Sequence, residues 1–166
     1  GSTKRRFVGL LCGPLSSGVS CTVKERVVLD ASVITSVVNS DDAFHQPCYQ
    51  YFRDRHDAGD VIWVIPGLIM FEFQATQSRR YRERRPGQPV YRDSPLYVDQ
   101  CEVFQVTKDF LWAVSEAKLY DLFAQLRGAD LLYACIAKLE RIPLVTHDKG
   151  FERYASELKL INPCEL

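Results

Sequence analysis

Four acidic residues of this 166-residue chain are candidates for chemistry because each borders or interrupts an apolar run. Asp30 ends one run, Glu72 lies inside a second, Asp130 precedes a third, and Asp148 comes just after a fourth. A charge in apolar surroundings needs a partner, a metal ion or a helix terminus. Glu72 has no basic residue within one helical turn along the chain. These acids are therefore candidates for one shared site.

Carboxylates that crowd together repel one another, so either protonation or a cation must relieve the repulsion. Oxygen ligands without His or Cys favour Mg²⁺ or Mn²⁺. Such a cation lowers the pKa of bound water and stabilises phosphoryl transfer, which makes phosphodiester hydrolysis the natural reaction. His147, between Thr146 and Asp148, is expected to point to the opposite face if strand alternation continues, and we assign it no catalytic role.

The elements that must position these acids follow from the apolar pattern. Strands that are apolar throughout and alternate with amphipathic helices predict an α/β fold, with a mostly parallel sheet of four to five strands covered on both faces in three layers, αβα. The predicted strands are 26–30, 61–65, 102–106, 142–145 and an edge strand at 158–161. Three predicted helices cover 41–57, 109–125 and 151–158. Three more are predicted by their starts: one after an N-cap at Ser32, one at Pro66 and one at 128–130. Sites in such sheets form outside the carboxyl ends of the strands, where all four acids would meet.

Composition sets the remaining limits. The length favours one domain, and the net charge of zero means that nucleic-acid binding must rest on local patches. No stretch approaches the roughly 20 apolar residues of a membrane span. The six cysteines include no CxxC pair, and we interpret them as thiols of a reducing compartment, which favours a cytoplasmic protein.

Two segments differ from the rest. Residues 1–25 predict a loosely ordered or non-native N-terminal arm, ahead of a domain at 26–166. Arginines cluster beyond Gln77, and we interpret Arg79, Arg80 and Arg82 as candidate nucleic-acid contacts, with a solvated helix end as the alternative.

Four motifs in order resemble the PIN domain, and within that family the VapC-type ribonuclease toxins of toxin–antitoxin pairs. They are residues 28–33, residues 65–72 with Glu72, residues 128–134 with Asp130, and residues 144–151 with Asp148. The resemblance covers about 26–162.

The resemblance implies a Mg²⁺- or Mn²⁺-dependent endoribonuclease that leaves a 5′-phosphate and a 3′-hydroxyl. Asp30, Glu72, Asp130 and Asp148 would form the acidic metal and catalytic site. Ser32 and Thr146 would orient carboxylates or phosphate. The implied partners are an RNA substrate, an antitoxin protein and a second copy of the chain, with no membrane involved.

Three features depart from the family pattern. The first acid follows 29 residues, where the family usually has about ten, so a native start near Val23 is a hypothesis. The arginine-rich stretch is longer than expected. Gly150 stands where some members carry a fifth acid, which leaves the choice between one and two metal ions open.

Other functions stay open from the sequence. The domain could be a catalytically inactive PIN-like binding module in RNA processing, or a DNA or flap nuclease of the same fold. A phosphoryl-accepting receiver domain fits poorly, because it needs an acidic pair after the first strand and Asp30 has no adjacent acid.

Overall fold

A computed structural model of the protein describes residues 24–83 and 99–166. Its strands are β1 (Glu25–Leu29), β2 (Val61–Pro66), β3 (Cys101–Phe104), β4 (Leu144–Val145) and β5 (Leu160–Ile161). Its α-helices are α1 (Ala31–Val38), α2 (His45–Ala58), α3 (Gly67–Glu83), α4 (Lys108–Glu116), α5 (Leu119–Leu122) and α6 (Ala129–Glu140). Two 3₁₀ helices cover Lys149–Tyr154 and Pro163–Glu165.

Within the described residues the strands form one parallel sheet in the order β3-β2-β1-β4-β5. This confirms the predicted α/β fold with a parallel sheet, and β5 lies at the edge as predicted. Side chains of β1 alternate between two apolar cores. Val28 packs into a core with α6 and α4, whereas Val27 and Leu29 pack into a core with α1 and α2. Helices therefore cover both faces of the sheet.

Several boundaries differ from the sequence predictions. Asp30, not Ser32, is the N-cap of α1, because its carboxylate accepts the Ser32 backbone N–H. Pro66 ends β2, and α3 begins one residue later. The predicted helix 109–125 is broken into α4 and α5 at Lys118, whose φ of 54° is left-handed. The helix predicted at 151–158 is instead a 3₁₀ helix that begins at Lys149.

The predicted N-terminal arm lies outside the described residues up to position 23. Glu25, which the sequence assigned to that arm, already belongs to β1.

Ion pairs join the elements at the amino-terminal edge of the sheet. Arg26 of β1 pairs with Glu102 at 2.6 Å and with Glu140, the last residue of α6, at 2.9 Å. Arg55 pairs with Glu25 and Asp60, each at 3.0 Å. These half-exposed pairs are individually weak. The pair of Arg26 with Glu140 joins the end of α6 to β1, and the pairs of Arg55 join α2 to β1 and to the turn before β2.

None of the helices in the described part of the chain is long and apolar enough to cross a lipid bilayer.

Candidate active site

Asp30 lies where β1 ends and α1 begins, with 4% of its surface exposed. Its backbone N–H donates to the Val145 carbonyl oxygen at 3.1 Å, which continues the pairing of β1 with β4. The Ser32 hydroxyl donates to Oδ2 at 2.7 Å, and the Ser32 backbone N–H donates to Oδ1 at 3.2 Å. A buried carboxylate is tolerated when such donors replace water.

Thr146 connects Asp30 to the segment that follows β4. This buried threonine donates its hydroxyl to Asp30 Oδ2 at 2.6 Å and accepts the Asp148 backbone N–H at 3.0 Å. The Asp148 carboxylate is exposed and caps the 3₁₀ helix by accepting the Gly150 N–H at 2.7 Å. Both hydroxyls that the sequence singled out, on Ser32 and Thr146, therefore contact the carboxylate of Asp30.

Asp130 is the second residue of α6, and its half-buried side chain faces the same edge of the sheet. Burial raises the pKa of its carboxyl, and the negative charges of Asp30 and Asp148 raise it further. No ion pair among the described residues involves any of these three carboxylates. Asp130 thus lies close enough to Asp30 and Asp148 to respond to their charges, and none of the three forms an ion pair within the described part of the chain.

Tyr133 joins α6 to the start of α1, and the sequence prediction did not include it among the site residues. It follows Asp130 by three residues on α6, is fully buried, and its hydroxyl accepts the Ala31 backbone N–H at 3.1 Å. Its i, i+3 spacing places it on the same face of α6 as Asp130, but no local signal in the sequence indicates its contact with Ala31.

Glu72 belongs to α3, the helix that directly follows β2. Its backbone lies in the second turn, roughly 8 Å from the start of the helix. Its side chain lies outside the described part of the structure, as does that of Arg80. Arg79 and Arg82 expose their side chains in the later turns of α3.

The donor set suits a hard divalent cation on chemical grounds. Its described members offer only carboxylate and hydroxyl oxygens, which Mg²⁺ and Mn²⁺ prefer. Burial raises the pKa of Asp130 most, and the charges of Asp30 and Asp148, which raise it further, are charges that a cation would neutralise. Among side chains that the structure describes, no three His, Cys, Asp or Glu residues approach closely enough to hold one ion together. The chemistry of the residues therefore fits a cation, whereas the described side chains alone do not form a closed metal cage.

His147 points away from these acids, in agreement with the alternation expected from the strand. Its Nε2 atom lies 3.1 Å from the Ser36 hydroxyl, and its ring stacks on Phe44 with the centroids 4.5 Å apart.

The sequence profile of the PIN domain matches residues 27–157. Among solved structures, VapBC2 from Rickettsia felis, bound to a DNA fragment from their promoter, is similar at a TM-score of 0.59 and 18% identity, over 82% of this chain and 98% of that one. FitAcB from Neisseria gonorrhoeae is similar at a TM-score of 0.56 and 15% identity, over 84% of this chain and 99% of that one. PAE2754 from Pyrobaculum aerophilum is similar at a TM-score of 0.52 and 17% identity, over 86% and 94% of the two chains. No curated protein sequence matches the chain. At these identities the structural likeness shows a shared fold.

Proposed function

The chain belongs to the PIN domain family, and on that premise we propose that it is a metal-dependent endoribonuclease, the toxin of a toxin–antitoxin pair. The observation that carries the proposal is the group of three carboxylates at the carboxyl edge of the sheet. The pKa of Asp130 is raised by burial and then by Asp30 and Asp148. A carboxyl whose pKa is raised by burial and by neighbouring charges, beside a sheet edge, is a common sign of a functional site.

In the proposed mechanism Asp30, Glu72, Asp130 and Asp148 would hold Mg²⁺ or Mn²⁺. When bound, the cation would lower the pKa of a water molecule and neutralise charge on the scissile phosphate. Ser32 and Thr146 hold the Asp30 carboxylate in one orientation through their hydroxyls. Tyr133 holds α6, which includes Asp130, beside the start of α1. Thr146 holds the segment of Asp148 beside the same place.

The substitution Asp30→Asn tests the acidic site directly. Asn keeps the shape of the side chain and is a good N-cap, so α1 should persist, whereas the charge is lost. We expect hydrolysis of RNA to fall by at least about a hundredfold with an unchanged circular dichroism spectrum. The matched control is Asp109→Asn at the second position of α4, where the side chain is exposed. RNA cleavage that persists in excess EDTA would contradict a metal-dependent mechanism, and persistent binding without cleavage would favour the PIN-like binding module instead.

RNA is the substrate that we propose, cut to leave a 5′-phosphate and a 3′-hydroxyl, and an RNA substrate would place the activity in the cytoplasm. Exposed Arg79 and Arg82 on α3 support an RNA-contacting role for this part of the helix, together with Arg80. Arg79 lies roughly 18 Å along the helix from its start, a distance that a few nucleotides of a single strand can span. Cleavage of single-stranded DNA at an equal rate would favour the DNA nuclease instead.

An antitoxin and a second copy of the chain are the protein partners that we propose. Large apolar side chains that α3 and α4 expose support such contacts, because exposed apolar surface often marks an interface. Phe71 is 75%, Trp112 65% and Leu68 58% exposed. Light scattering of the purified protein tests the homodimer, with Phe71→Ser as the variant expected to weaken it. A monomer at all concentrations of the wild type would contradict the proposed dimer.

A further inference from the structure

His147 lies between Thr146 and Asp148, which both belong to the proposed site. The contacts described for its ring are with other residues, Ser36 and Phe44. Thr146 points toward Asp30, and His147 points to the other side of the backbone, toward Ser36 and Phe44. The imidazole therefore reaches α1 at a second place, independent of the contact between Thr146 and Asp30. Ser36 lies six residues after Asp30, which is roughly 9 Å along the helix.

The direction of this hydrogen bond follows from the neighbours of Ser36. Its hydroxyl is 3.1 Å from Asp42 Oδ1 and 3.1 Å from His147 Nε2, and Ser36 is only 1% exposed. A carboxylate accepts but does not donate, so the single hydroxyl proton of Ser36 goes to Asp42. The hydroxyl oxygen must then accept from His147, which requires the proton of the imidazole to be on Nε2.

The other groups near the Ser36 hydroxyl are consistent with this direction of the hydrogen bond. Asp42 also accepts the Phe44 backbone N–H at 2.8 Å, which fixes its carboxylate next to Ser36. Burial, ahead of the influence of Cys164, raises the pKa of the Cys48 thiol to about 12. The thiol is therefore protonated and does not attract the Ser36 proton as an anion would.

We infer that His147 is a positioning residue for the site, because its hydrogen bond to Ser36 holds the segment of Thr146 and Asp148 in register with Asp30. The inference rests on the proposed function. Thr146 contacts the start of α1, and His147 contacts its second turn from the opposite face of the same backbone segment. Together the two contacts restrict both translation and rotation of the segment. Asp148 is the next residue, so its place relative to Asp30 depends on both contacts.

Variants of His147 and Ser36 separate the hydrogen bond from simple packing. His147→Leu fills similar space without a donor, whereas His147→Gln keeps a donor near the position of Nε2. Ser36→Ala removes the acceptor, and Phe44→Leu removes the ring stack but keeps the bond. Each variant is measured as full-length protein in two ways: hydrogen exchange of the Asp148 amide in metal-free protein, and Mn²⁺ affinity by titration calorimetry.

We expect His147→Leu to accelerate exchange of the Asp148 amide and to weaken Mn²⁺ binding by about tenfold, the usual effect of losing a group that orients a ligand. His147→Gln should stay within about threefold of the wild type on the same scale. Ser36→Ala also removes the hydrogen bond to Asp42, so the double variant of His147→Leu and Ser36→Ala should be no worse than Ser36→Ala alone, in which the bond to His147 is already lost. Phe44→Leu should lower thermal stability and leave Asp148 exchange unchanged.

The two readouts distinguish failure of this inference from failure of the proposed function. Unchanged Asp148 exchange in a folded His147→Leu variant would overturn the inference, whatever the protein does with metal. Additive losses in the double variant would also overturn it. A wild type that binds no Mn²⁺ would instead overturn the proposed function, and amide exchange would still decide the role of His147.

Discussion

The hydroxyl of Thr146 donates to the carboxylate of Asp30 at 2.6 Å, across 116 positions of the sequence. The same hydroxyl oxygen accepts the backbone N–H of Asp148. One small side chain thus joins the end of β1 to the segment after β4, and its loss should affect both.

Thr146→Val keeps the shape of the side chain and removes the hydroxyl. We expect the free energy of unfolding to fall by about 1–3 kcal/mol, because Asp30 loses a buried donor and the Asp148 amide loses its acceptor. Urea denaturation monitored by tryptophan fluorescence gives the value. Thr35→Val, at a half-buried position on α1, is the matched control and should change the free energy by less than about 0.5 kcal/mol. Equal effects at the two positions would refute the bridging role of Thr146.

The raised pKa of Asp130 sets a pH dependence in the metal-free protein. Because the folded carboxyl binds its proton more tightly than the unfolded one, the folded state holds more protons in the pH range between the two pKa values. The free energy of unfolding contributed by this group therefore decreases as pH rises through that range, and the cost is fully present above the folded pKa.

Asp130→Asn should remove that cost. We expect the metal-free variant to be more stable than wild type at pH 7, by less than about 1 kcal/mol because the side chain is only half-buried. The gain should vanish below the unfolded pKa of about 3.9. Asp109→Asn is the control, since Asp109 occupies the same second position of a helix in an exposed setting. A variant of Asp130 that is less stable at pH 7 would show that burial and repulsion of the charged carboxylate do not destabilise the metal-free protein.

A bound divalent cation should make the wild type more stable than Asp130→Asn, the opposite of the order expected without metal. Mn²⁺ at about 100 times its dissociation constant should stabilise the wild type by about 2.7 kcal/mol. Asp30→Asn and Asp130→Asn should each lose most of that gain, although the second is the more stable protein without metal. Thermal melts with and without Mn²⁺, at fixed ionic strength, measure both quantities. Equal stabilisation of wild type and both variants would mean that the ion binds elsewhere.

Tyr133→Phe should loosen α6 from α1 by removing the acceptor of the Ala31 N–H. We expect a loss of about 1 kcal/mol in the free energy of unfolding, together with weaker Mn²⁺ binding. Tyr154→Phe changes another buried tyrosine, on the 3₁₀ helix, and serves as the control. If both substitutions leave Mn²⁺ affinity equal to wild type, the hydroxyl of Tyr133 does not position Asp130.

Replacing Arg79, Arg80 and Arg82 together by Gln should flatten the salt dependence of RNA binding. Each lost phosphate contact lowers the slope of log K against log salt by about 0.7 for a single strand. Fluorescence anisotropy with an inactive Asp30→Asn background gives the slope without cleavage. Arg53→Gln, on the exposed side of α2, is the comparison. An unchanged slope would leave these arginines as a solvated helix end.

Much of this arrangement could be predicted because apolar strands that end in acids define both the sheet and its carboxyl edge. Asp30 and Asp148 follow β1 and β4, and Asp130 begins α6, as the pattern indicated. Ser32 was predicted as the N-cap of α1 in place of Asp30 because Asp and Ser are both favourable N-caps. Only the side-chain contact in the structure decides between them. The left-handed Lys118 interrupts an amphipathic pattern that continues across it, so periodicity alone cannot detect the break.

Contacts between distant segments were not predictable in the same way. Nothing local to Tyr133 indicates that its hydroxyl meets the Ala31 amide, and nothing local to Ser36 indicates that His147 reaches it. Such pairs depend on the order of the strands, which brings β4 beside β1 although 114 residues separate their ends. Strand alternation predicts the orientation of His147 but not its partner.

The ion pairs at the amino-terminal edge have a consequence for the field around the molecule. There Arg26 and Arg55 are matched by acids, whereas no ion pair among the described residues involves Asp30, Asp130 or Asp148 at the other end of the strands. The carboxyl edge therefore carries local negative charge that the described ion pairs leave uncompensated, although the net charge of the chain is zero. A polyanion that approaches this edge would be repelled, and a divalent cation bound there would reduce the repulsion before any contact is made.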